Sequence, residues 1–140
     1  MTSLKNRLLI KSSKIPGAGK GLFTRQFIAK GTRIIEYKGR ITTWKEVLQG
    51  ERFNAYVYYI TRYHVIDAMD HKKSLARYVN DASGLTKVKG LKNNTKYVVE
   101  DKRVFIEAVK DIPAFTEILV SYGKEYWDVI RENKKLESLK

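Results

Sequence analysis

The chain has 140 residues, with 28 Lys+Arg against 15 Asp+Glu (a formal charge of +13) and no cysteine. That length accommodates one domain with its own core, and 43% hydrophobic with 11% aromatic residues excludes a disordered basic tail. The missing cysteines exclude a disulfide scaffold, a Cys-ligated zinc site and a thiol nucleophile, and they suit a reducing cytoplasm.

Taken in chain order, short apolar or β-branched runs at residues 7–11, 22–27 and 32–37 predict three strands, separated by Pro16-Gly17 and Lys30-Gly31. Thr43 followed by Glu46, with Trp44, Val47 and Leu48 on one face, predicts a short capped helix. Residues 54–61 and 64–68 predict a strand pair around Arg62-Tyr63, and residues 73–79 a short helix. Residues 84–94, with two Gly, three Lys and two Asn, read as an exposed loop. Residues 96–100 and 103–108 flank Asp101-Lys102, a two-residue hairpin link. Residues 117–122 predict a last strand, and Tyr126, Trp127 and Ile130 share a helical face within 124–132, before a charged tail that frays.

No repeat or linker divides the chain, so the expectation is one mainly β domain over 1–140, with its core at about 8–127 and residues 128–140 as helix and tail. The longest apolar run, residues 55–60, is far short of the roughly 18 that a membrane helix needs, so no membrane partner is expected. Charge is uneven. Residues 1–50 carry eleven Lys/Arg against Glu36 and Glu46 (+9), whereas residues 51–140 carry seventeen basic and thirteen acidic residues (+4). A basic half attracts polyanions such as nucleic acid or nucleoprotein, which leaves nucleoid or chromatin association open. Homo-oligomerisation is open as well.

Gly17-Ala18-Gly19-Lys20-Gly21 fails both phosphate-binding templates: Gly21 stands where a P-loop has Ser or Thr, and Leu22 stands where the dinucleotide fingerprint has its third glycine. His64, Asp67, Asp70 and His71 lack zinc-helix or calcium-loop spacing, so no metal is expected. What stands out is nine tyrosines, with Tyr37, Tyr97 and Tyr122 at the ends of predicted strands.

Four segments together resemble the SET domain, the fold of S-adenosylmethionine-dependent protein-lysine methyltransferases. Ile15-Pro16-Gly17-Ala18-Gly19-Lys20-Gly21-Leu22-Phe23 resembles the family's opening glycine loop, and Ile35-Glu36-Tyr37-Lys38-Gly39 follows at the right distance. Ala76-Arg77-Tyr78-Val79-Asn80-Asp81 resembles its Arg-Phe-(Ile/Val)-Asn-His segment, and Glu117-Ile118-Leu119-Val120-Ser121-Tyr122-Gly123 its closing run. The resemblance implies a β-clip fold of several small sheets, with the closing run threaded pseudoknot-like through a preceding loop. It implies methyl transfer from S-adenosylmethionine to the side-chain amine of a lysine-bearing protein or peptide, leaving S-adenosylhomocysteine.

By the same resemblance Tyr122 is the catalytic tyrosine, and Tyr37 and Tyr97 are further tyrosines of the lysine channel. The donor would contact the backbone at Ala18, Gly19 and Lys20, with Lys20 near its carboxylate. Tyr56, Arg77, Asn80, Asp81 and Tyr122 complete that pocket, and Trp127 packs against adenine. This chain departs from the family pattern at Asp81, where His is usual, and at Asn93-Asn94, which stand for Pro-Asn after an insertion at residues 82–92. The alternative is a SET-like basic module that binds nucleic acid or an acidic protein without catalysis.

Overall fold

The computed structural model describes residues 4–49, 56–84, 87–124, 126–128, 131, 132 and 135. Among these, nine short strands form three antiparallel three-stranded sheets. The first contains β1 (Leu8–Ser12), β2 (Lys20–Thr24) and β9 (Glu117–Ile118), with β2 in the middle. The second places β8 (Arg103–Ala108) between β3 (Arg33–Glu36) and β7 (Thr95–Glu100). The third places β6 (His64–Asp67) between β4 (Arg40–Thr42) and β5 (Val57–Thr61). This is the mainly β architecture that the sequence predicts.

Central strands carry the core because both of their faces are covered. Leu22, Phe23, Val65, Val104 and Ile106 are fully buried, each contributing roughly 1.5–3 kcal/mol by leaving water. The β7–β8 hairpin pairs in register from Thr95–Ala108 to Glu100–Arg103. Its two link residues, Asp101 and Lys102, both have positive φ (52° and 61°), the twist that a two-residue hairpin turn requires.

The structure departs from the sequence reading in four places. The strand at β4 was not expected: three residues with an exposed Ile41 give no alternating signal. Residues 73–79 form only a 3-10 turn, Leu75–Tyr78. The loop predicted over 84–94 is not uniformly exposed, since Gly84 and Asn94 are buried. Finally, the last strand stops at Ile118, because the chain there leaves its sheet for partners on both edges. Val120 N–H donates to Asn80 O (2.9 Å), while the N–H groups of Asn94 and Thr95 donate to Leu119 O (3.0 Å each). Asn94 adds a side-chain rung, accepting from Leu119 N–H (2.9 Å) and donating to Glu117 O (2.9 Å). Residues 80 and 94–95, the two ends of one excursion, therefore grip the closing run from opposite sides.

The helix α1 (Trp44–Gln49) starts as predicted, with Glu46 N–H donating to Thr43 Oγ1 (3.2 Å). Residues 124 and 126–128 are helical. Asn54, Ala55, Ile130 and tail residues 133, 134 and 136–140 lie outside the described residues.

Candidate active site

The turn between β1 and β2 is built from glycine because Gly17 (φ 81°) and Gly19 (φ 74°) occupy the left-handed region, which other residues rarely enter. Their open faces meet nothing within 4 Å, so the backbone there is bare to a ligand. Three contacts hold the turn. Ser13 N–H donates to Gly19 O (2.8 Å). The buried Glu117 carboxylate accepts from Ser13 Oγ (2.7 Å) and Lys14 N–H (2.9 Å). Asn80 Nδ2 donates to Lys20 O (3.0 Å), tying the turn to the closing run's neighbour.

Arg77 forms a second wall. Its guanidinium lies 4.1 Å from the Tyr56 ring centroid and 5.3 Å from that of Tyr78. Its Nη1 donates to Ala68 O (3.0 Å) and Met69 O (2.6 Å). Its buried Nε has no hydrogen-bond partner among the described residues.

Two aromatic clusters complete the enclosure. Tyr37 follows β3, Tyr58 lies in β5 and Tyr97 in β7, so strands from two sheets supply one cluster. Tyr58 and Tyr97 are 4.8 Å apart between centroids, and Tyr37 lies edge-on to Tyr97 at 6.1 Å. The other cluster comes from one stretch of chain. Tyr122 stacks on Trp127 (5.9 Å, 16° between planes), and Tyr126 meets both rings edge-on at 4.9–5.0 Å. The Tyr37 hydroxyl donates to Tyr56 O (2.6 Å) and the Tyr122 hydroxyl to Val79 O (2.5 Å).

Burial pushes the pKa values of Tyr37, Tyr97 and Tyr122 well above that of an ordinary phenol, and neighbouring acidic groups push them the same way. All three are therefore neutral phenols at neutral pH. Together the glycine turn, Arg77 and both clusters line one cavity of about 660 Å³.

That cavity gathers every site residue inferred from sequence: Ala18, Gly19, Lys20, Tyr37, Tyr56, Arg77, Asn80, Asp81, Tyr97, Tyr122 and Trp127. It also includes residues that the sequence reading missed. Tyr58 and Tyr126 stood in predicted elements as ordinary packing rings, and only tertiary pairing marks them. Val79 enters through its backbone carbonyl, which no side-chain pattern reveals. Asp81 lines the cavity, but its carboxylate is taken up by the protein. Oδ1 accepts from Ser83 N–H (2.7 Å), Ser83 Oγ (2.6 Å) and Asn93 Nδ2 (2.9 Å). Oδ2 accepts from Tyr122 N–H (2.8 Å) and Trp127 Nε1 (2.7 Å). Five donors saturate its roughly four lone-pair sites, so Asp81 lines the cavity with its side chain committed to the protein. Burial raises its pKa, and the combined hydrogen bonds from Ser83, Trp127, Tyr122 and Asn93 outweigh this and hold it below the usual carboxylate range.

The SET domain family model matches residues 19–123. The chain belongs to the SET domain family. In fold this SET domain is similar to the methyltransferase domain of human PR domain-containing protein 2, with a TM-score of 0.61 and 23% identity, over 84% of this chain and 77% of that one. The SET assignment accounts for the grip on residues 119 and 120: it is the family's threaded closing run, which brings Asn80 beside the segment that ends in Tyr122.

Proposed function

We propose that this SET domain is a protein-lysine N-methyltransferase that uses S-adenosylmethionine. One observation carries the reading: a single cavity joins a bare glycine backbone turn to the phenol rings of Tyr37, Tyr97 and Tyr122, which come from distant parts of the chain. The cavity fits such a donor. Its size lies within the roughly 300–1,000 Å³ of small-molecule sites. The exposed turn suits close backbone approach, and the orphaned Arg77 Nε–H sits in a wall otherwise built of rings. Ala18, Gly19, Lys20, Asn80 and Trp127 would hold the donor, which supplies a methyl group on a cationic sulfur.

The chain's own residues then do two things. A lysine amine with a reference pKa of about 10.4 reacts only when neutral, and rings that exclude water favour its neutral form. The un-ionised phenols of Tyr37, Tyr97 and Tyr122 orient its lone pair without adding a charge that would hold the proton. The test pairs calorimetric titration with S-adenosylmethionine and a labelled-methyl assay on lysine-bearing protein, wild type beside Tyr122→Phe. Binding together with transfer that collapses in the variant supports the reading. Absence of binding overturns it.

A second reading, docking onto a polyanion, is favoured by a cleft of about 480 Å³ on another face. Lys14, Lys92 and Lys110 line it, and none makes an ion pair among the described residues. Phe115 also lines it, 70% exposed and held at φ 63°. Salt-steep binding of single-stranded nucleic acid that weakens in Phe115→Ala tests this. The two readings are compatible, because the cleft and the cavity share no lining residue.

A further inference from the structure

The second aromatic cluster is anchored differently from the first. Tyr126 and Trp127 follow Gly123, outside every strand, and among the described residues they rest on side-chain contacts. Trp127 makes three. Its ring stacks on Tyr122, and its indole N–H donates to Asp81 Oδ2. Its six-membered edge lies against Gly84, where any Cβ would overlap the ring. The oxygen that receives the indole N–H also receives Tyr122 N–H. One buried carboxylate oxygen thus fixes both the backbone of Tyr122 and the ring stacked upon it. Asp81's other oxygen is held by Ser83 and Asn93 from the excursion that grips the closing run. A neutral imidazole has one acceptor nitrogen and could not serve these donors together.

We propose that Asp81 is a positioning residue: its carboxylate latches the Trp127 wall of the cavity onto Tyr122, with bare Gly84 as the seat for the indole. The latch rests on the methyltransferase reading only for what the cavity receives. It joins the carboxylate at 81, the absent side chain at 84 and the indole at 127 in one arrangement. Replacing Asp81 or Trp127 removes the indole's hydrogen bond, and a side chain at 84 displaces the ring.

The test uses the full chain in a Trp44→Phe background, so that Trp127 is the sole tryptophan. Asp81→Asn keeps the size of the side chain but turns one of its oxygens into a donor, and Asp81→Ala beside it leaves the indole N–H without this acceptor whichever way the amide turns. The expected result is a red-shifted Trp127 emission and easier acrylamide quenching, with unchanged far-ultraviolet circular dichroism. Emission identical to the parent in Asp81→Ala would overturn the proposal. Should the Asp81 variants fail to fold, Gly84→Ala leaves Asp81 in place and displaces the ring directly. It is expected to give the same red shift, and an unchanged spectrum there also overturns the proposal.

Titration with S-adenosylhomocysteine supplies the functional arm. Asp81→Asn and Trp127→Phe are each expected to bind about tenfold more weakly, and the double variant no more weakly than either. Additive losses would mean that the two side chains act separately, against the latch. The emission arm needs no ligand. If the parent binds no S-adenosylhomocysteine, the methyltransferase reading falls while emission still decides the latch.

Discussion

The two aromatic clusters that face each other across the cavity are alike in composition and opposite in construction. Tyr37, Tyr58 and Tyr97 come from strands of two different sheets, so their spacing follows from backbone ladders that also hold the core. Tyr122, Tyr126 and Trp127 come from six consecutive residues, and their spacing depends on one carboxylate. The second cluster loosens if Asp81 changes, and because that carboxylate is buried among its donors, site geometry and stability on that side are coupled.

The largest expected effect separates the two clusters by chemistry. Tyr122→Phe should lower methyl transfer by about 100-fold or more, while losing only the roughly 1 kcal/mol of one hydrogen bond to Val79 O. Tyr58→Phe should cost less than about tenfold, because no partner for its hydroxyl sits at the reaction end. Labelled-methyl rates and urea midpoints check both, and equal losses would break the comparison.

Next is stability. Asp81→Ala strands several buried donors and should destabilise the fold by about 3 kcal/mol. Glu117→Gln, which disturbs the anchor of the glycine turn, should cost about 1–2 kcal/mol. Urea unfolding orders the two. A reversed order would place the chief anchor at the turn rather than at the latch.

The pH profile sharpens the same point. Asp81's folded pKa lies below its unfolded value of 3.8. Its stabilisation is therefore full above that value and is lost as the pH falls through the folded pKa. Trp127 emission in the Trp44→Phe background should stay constant from neutral pH down to the ordinary carboxylate range and shift only below it. The smallest effect is expected at Glu36→Gln, which removes the surface pair with Arg103 (2.6 Å). It should leave the thermal midpoint nearly unchanged, as exposed ion pairs usually do.

Sequence and structure agree most where local chemistry decides the outcome. Asp101-Lys102 marked a hairpin link, and Thr43 and Glu46 marked a helix start, both from nearest-neighbour rules. The eleven site residues were legible only through the ordered resemblance of four segments, since no spacing rule brings Tyr37, Tyr97 and Tyr122 to one cavity. Tyr58, Tyr126 and the Val79 carbonyl stayed hidden because their roles arise from pairing across sheets and from backbone atoms. Asp81 was visible as a departure from His. Its five bonds were not, because they depend on Asn93 and Trp127, which are 12 and 46 residues away.

The grip that residues 80, 94 and 95 exert on the closing run also constrains how the protein is made. Synthesis delivers residues 117–122 after the excursion that encircles them, so a nascent chain still attached to the ribosome near residue 110 can lay down the first hairpins but has no reaction chamber. Assembly must then bring distant segments together late, the slow route for a chain rich in nonlocal contacts. Once closed, that passage also resists local fraying, because the run cannot slip out while both of its edges stay bonded.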